Sequence, residues 1–130
     1  MQIISQLELL NLGVSDVDKS KEFYADKLGL KVKTERKFGT QHFVSMELPG
    51  GVILNIMNVL EHKQPGIYKL GFSTTDVAAA LQELAAKGLK PTKEGDDYNS
   101  WNRTDGKGDP YFELDDPDGN RVLIYQQSKQ

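Results

Sequence analysis

Phe112 to Tyr125 reads FELDDPDGNRVLIY, in which two apolar stretches flank three carboxylates, a Pro, a Gly and an Asn. A calcium loop alternates its ligands over about a dozen residues and closes on a bidentate Glu. VLIYQQ supplies no such Glu, so the metal-loop reading fails. Asp and Asn favour turns through local side-chain bonds, Pro fixes one dihedral, and Gly accepts positive φ. Asp115–Asn120 therefore reads as a turn that launches a final strand, and its role is geometric.

Working outward, Glu113-Leu114 before this turn echoes Glu47-Leu48 before the tight turn Pro49-Gly50-Gly51, 66 residues earlier (47 to 113). LGVS at Leu12–Ser15 returns as LGFS 58 residues on (12 to 70). The chain thus repeats one unit. In its first copy LELLNLGV (Leu7–Val14) reads as a strand, with Leu10, Leu12 and Val14 on one face and Leu9, Asn11 and Gly13 on the other. Ser15 can cap the next segment with Asp18 three residues on, and Val17, Tyr24 and Leu28 recur at near-helical spacing until Gly29. A helix of about three turns is expected there. LKVKTE, QHFVSMEL and VILNIMN read as three further strands. In the second copy TTDVAAALQELAAKG gives a helix with Val77, Ala80, Leu81 and Leu84 in an apolar stripe and Asp76 near the positive end of its dipole. KEGDDYNSWNRTDGKGD (Lys93–Asp109) reads as a long polar segment that accounts for most of the extra spacing, and Glu61–Gly66 as the linker.

The chain's 130 residues, 38% of them hydrophobic, suit one compact domain or two half-size modules sharing a core. A net charge of -3 without long single-sign runs argues against nucleic acid as a partner. No apolar run reaches the roughly 20 residues of a bilayer span, and MQIISQLELL lacks a basic region and signal core. A cytoplasmic protein without membrane association is expected. With no cysteine there are no disulfides, thiolate metal sites or cysteine nucleophiles. Dinucleotide, phosphate-loop and nucleophile-elbow glycine patterns are missing too.

The helix opening DVDKSKEFYADKLGL, with Ser20, Phe23, Tyr24, Leu28 and Gly29 in an S-x-x-FY-x-x-x-LG pattern, and the DPDGN turn at Asp116–Asn120 together resemble the vicinal oxygen chelate superfamily, the glyoxalase/bleomycin resistance protein/dioxygenase group. The resemblance spans about Leu7 to Gln126. It implies an α+β fold of two βαβββ modules, about 5–60 and 66–127, whose curved half-barrel sheets carry helices outside within a single domain over 1–130. Metal-using members place His or Glu on inner strand faces. Here those positions fall on Leu9, Asn55 (Leu54 with a one-residue slip), Lys69 and Leu123. Leu cannot coordinate, a protonated Lys repels a cation, and one Asn carbonyl cannot hold a transition metal alone. The resemblance therefore implies a member with no metal and no cofactor at the family site. His42 on a strand and His62 in the linker form no H-x-x-H or H-E-x-x-H arrangement; they read as a strand surface or packing residue and a solvated one.

Strand alternation gathers Leu9, Asn11, Asn55, Met57, Lys69, Tyr111, Glu113, Leu123 and Tyr125 on the expected inner face, a mixed pocket suited to a small ligand. Lys69 can meet a carboxylate, phosphate or enolate-like oxygen, or form a structural ion pair with Glu113. In the long polar segment, Tyr98, Trp101 and Arg103 read as a lid that stacks on a planar ligand and offers guanidinium donors; Trp101 can equally anchor the loop. Two functions follow. One is a binding or resistance-type protein that sequesters a small molecule, as a homodimer whose clefts use both subunits, the arrangement common in the resembled family. The other is a lyase-, isomerase- or dioxygenase-like enzyme with Glu113 as base and Lys69 as oxyanion stabiliser, or with an unrecognised metal site.

Overall fold

The computed structural model describes residues 3–59, 69–98 and 106–126. Contacts divide the chain into two compact units, Met1–Pro65 and Gly66–Gln130.

The first unit begins with β1 (Leu9–Gly13) and α1 (Val17–Lys21), which runs on as a π-helical segment (Glu22–Lys27). Three strands follow: β2 (Lys31–Phe38), β3 (Gln41–Glu47) and β4 (Ile53–Met57), in the sheet order β1-β4-β3-β2. β1 pairs parallel with β4 and the other neighbours pair antiparallel, so the sheet is mixed and open at both edges. The helix packs on β3 and β4. Leu12, Val14, Val44, Met46, Leu54 and Ile56 are buried, as period-2 alternation requires of one apolar face.

The helix cap lies one residue later than the expected Ser15. Asp16, in extended conformation, accepts at 3.2 Å from the Lys19 amide, satisfying a donor of the first turn. The expected three turns are present, but the last of them widens. Leu28 N–H donates five residues back to Phe23 O at 2.9 Å, and Phe23 and Tyr24, adjacent in sequence, are both buried in an edge-to-face pair with centroids 4.9 Å apart.

The second unit repeats the plan with β5 (Lys69–Thr74), α2 (Val77–Ala86), β6 (Lys93–Tyr98), β7 (Asp109–Asp115) and β8 (Arg121–Gln126), ordered β5-β8-β7-β6. β5 pairs parallel with β8. Asp76 caps α2 by accepting from the Ala79 amide at 3.0 Å, and Leu84 is buried within the expected stripe. The long polar segment is corrected here, because its first six residues, KEGDDY, are a strand. Their side chains are mostly exposed and the backbone pairs with β7 alone, the pattern of a charged edge strand, which no apolar alternation betrays.

The Asp116–Asn120 turn closes on itself. Asp116 Oδ1 accepts from the Asp118 and Asn120 amides at 2.9 and 2.8 Å, Asn120 Nδ2 donates to Asp116 Oδ2 at 3.2 Å, and Gly119 takes φ 82°. All of these interactions hold the entry to β8.

Candidate functional site

In the second unit, the sheet face opposite α2 carries two neighbouring groups. Register places Lys69 beside Arg121 and Arg121 beside Asp115, one step from Glu113 beside Leu123. Glu113 is 2% exposed, yet it is charged: Lys69 Nζ lies 2.8 Å from Oε2, and Arg121 Nη1 donates to Oε1 at 3.0 Å. Burial pushes its proton affinity up, but donation from Lys69 and then Arg121 outweighs this and holds the carboxyl below the ordinary Glu value. Arg121 Nε also reaches Asp115 at 3.4 Å. Two cations thus meet two carboxylates.

Farther along the same face stand Tyr111 and Tyr125, directly paired between β7 and β8. Tyr98 contacts both, with ring centroids 5.9 Å from Tyr111 and 5.0 Å from Tyr125. Gly95 makes this grouping possible, since a Cβ there would meet the Tyr111 ring at 2.6 Å. Tyr98 is therefore a β6 residue stacked on the sheet, not part of a loop. Trp101 and Arg103 lie outside the described residues, as does His62.

In the first unit, the face opposite α1 carries a hydrogen-bond chain across three strands. Ser45 Oγ donates to Asn55 Oδ1 at 2.5 Å and Asn55 Nδ2 donates to Asn11 Oδ1 at 2.9 Å. The predicted pair Asn11 and Asn55 is thus brought together, with Asn11 exposed at the end of the chain. Leu9 stands near it at 46% exposure.

The other face holds a group that sequence reasoning missed. His42 is 9% exposed, and its Nε2 lies 2.5 Å from Glu35 Oε2, while Lys21 Nζ lies 2.7 Å from Glu35 Oε1. Donation from Lys21, then from His42, lowers the Glu35 proton affinity. A cavity of about 300 Å³ opens beside His42, lined also by Asp18, Lys37, Thr40 and Asn58. The detectable signal was the two-residue turn Gly39-Thr40, which pairs Phe38 with Gln41 and so sets Glu35 diagonal to His42.

The family model for the glyoxalase/bleomycin resistance protein/dioxygenase superfamily matches residues 6–124. The chain belongs to this superfamily. No curated protein matches it. Among solved structures, TnmS3, an antibiotic binding protein from Streptomyces sp. CB03234, shares 24% identity at a TM-score of 0.78, covering 98% of this chain and 100% of that one. Lactoylglutathione lyase from Agrobacterium tumefaciens shares 19% at 0.75, with 96% of each chain covered. A superfamily member from Sphaerobacter thermophilus DSM 20745 shares 22% at 0.71, covering 97% and 100%. These likenesses are of fold, and they join a binder and a lyase on one architecture.

The superfamily's metal positions can now be tested by their donors. Leu9 and Leu123 offer hydrocarbon, and Leu123 is 1% exposed. Asn55 spends its amide on Ser45 and Asn11, and the Lys69 ammonium is held against Glu113. None of these four side chains, each taken within its own unit, is suited to hold a catalytic metal.

Proposed function

We propose that this superfamily member binds and sequesters a small, partly aromatic molecule without metal chemistry. The observation that carries this reading is the Tyr98, Tyr111 and Tyr125 group, which Gly95 makes room for on a sheet face. Aromatic rings offer large contact area with little conformational entropy to lose, and planar ligands gain by offset or edge-on stacking. On the first unit, the Asn55–Asn11 pair offers a separate set of polar groups able to orient a ligand. Antibiotic binding by TnmS3, a protein of the same fold, supports small-molecule binding.

Glu113 is a poor candidate for the base of a metal-free enzyme. A general base needs a proton affinity near the working pH, whereas Lys69 and Arg121 hold this carboxylate below its ordinary value. The same pairing engages Lys69, so an anionic ligand gains less from it than from an uncompensated cation.

The test is a panel of polycyclic aromatic antibiotics, screened by thermal shift and titrated through the fluorescence of Trp101, the chain's only tryptophan. A bound compound is expected to lose about 0.5 to 1.5 kcal/mol beyond its contact area in Tyr98→Ala. Product formation that Glu113→Gln abolishes would replace the binder with the enzyme reading. We further propose a cytoplasmic homodimer. Among the described residues, no helix is long and apolar enough to cross a membrane.

A further inference from the structure

We infer that Asp18, Glu35 and His42 form a site for a divalent transition-metal ion at the mouth of the first unit's cavity, on the sheet face opposite Asn11 and Asn55. Three separate elements, α1, β2 and β3, contribute one residue each, and the candidate ligand atoms all lie within 4.8 Å of one another. Ligands about 2.0 to 2.2 Å from a shared tetrahedral ion lie roughly 3.3 Å apart. Rotamer-scale adjustment therefore brings all three onto one ion: the His42–Glu35 pair must open slightly, and Asp18 must close in.

The surroundings favour coordination over a simple ion pair. Lys21 binds Glu35 through Oε1, leaving Oε2, the oxygen that faces His42, to act as a monodentate ligand. A ligating carboxylate held from behind in this way is oriented and kept ionised. His42 is fixed by its backbone: its amide donates to Asn58 Oδ1 at 2.9 Å, its carbonyl accepts from the Asn58 amide at 3.4 Å, and Asn58 Nδ2 donates to Thr40 O at 2.8 Å. The imidazole thus starts from a rigid base. One nitrogen and two carboxylates suit zinc, cobalt, nickel or manganese better than calcium, which takes oxygen ligands only. Asp18 and His42 both line the cavity, which leaves room for water at the remaining coordination positions.

The experiment is a Co(II) titration of EDTA-treated full-length protein, followed by visible absorption, with Zn(II) competition. Co(II) bands distinct from those of the aqueous ion are expected to saturate at one equivalent and to be displaced by Zn(II). Asp18→Asn and Glu35→Gln should each weaken binding at least about tenfold, and Lys21→Met should weaken it less, since Lys21 only orients a ligand. Imidazole NMR of the native protein covers the case in which His42 variants fail to fold. The chain has two histidines, and the His42 ring signals should move with one equivalent of Zn(II). No Co(II) bands beyond those of free aqueous Co(II), affinity unchanged in Asp18→Asn, or a shift confined to His62 would overturn the site.

Discussion

Two cations hold the Glu113 carboxylate, and this has a defined pH consequence. Because the folded state binds the Glu113 proton less readily than the unfolded state, the interaction contributes stability above the ordinary Glu range and loses it as pH falls through the lowered folded value. Glu113→Gln should cost about 1.5 to 3 kcal/mol at pH 7, the range for hydrogen bonds to charged groups. Urea unfolding of the two proteins should give midpoints that converge below about pH 4; a constant gap would show that the charge is irrelevant. Asp116 answers a different question. Its Oδ1 satisfies two amides beside a fully buried Asn120, so Asp116→Ala should lose about 2 to 4 kcal/mol in the same assay by leaving buried donors unpaired. The Lys69–Glu113 pair was legible from strand alternation. Arg121 as second partner was missed: it falls diagonal to Glu113 through the antiparallel β7–β8 register that the Asp116–Asn120 turn sets.

Elements were legible where local chemistry dictates them and obscure where pairing does. Turns with Gly and Asp, the α2 stripe and the repeated strand order all follow from short-range residue preferences. β6 escaped because an edge strand needs only backbone partners, and β2 proved longer than LKVKTE because the Gly39-Thr40 turn extends its hairpin to Phe38. That extension is why the Glu35–His42 pair stayed hidden. Both helices open on an Asp followed by Val, and each Asp accepts from the amide three residues on. Substituting Asp76→Ala should therefore cost about 1 kcal/mol, read as a lowered melting temperature. Asp76→Asn should retain most of the stability, since an amide oxygen also caps; equal losses would show that the dipole, not the hydrogen bond, dominates.

At the scale of the molecule, five of the six exposed large hydrophobics among the described residues lie near the N-terminus: Ile3, Ile4, Leu7, Leu9 and Leu10. Exposed apolar side chains of this kind are what an interface between two copies would cover, and the proposed homodimer is tested there. Sedimentation equilibrium should show a dimer at micromolar concentration, and the double substitution Ile4→Ser with Leu7→Ser should weaken it at least tenfold, about 1.4 kcal/mol. A native monomer would sink the proposal. The parallel pairing of β1 with β4 carries a further consequence, for biosynthesis. Asn11 cannot meet Asn55 until 44 more residues have been made (11 to 55), which takes roughly 2 to 9 s at ribosomal speeds of about 5 to 20 residues per second. Through that interval the nascent chain presents LELLNLG with no strand to receive it, and long-range closure of this kind is slow even once the partner emerges. The opening strand is therefore one place where a holding chaperone has work to do, in a window that closes as β4 clears the exit tunnel.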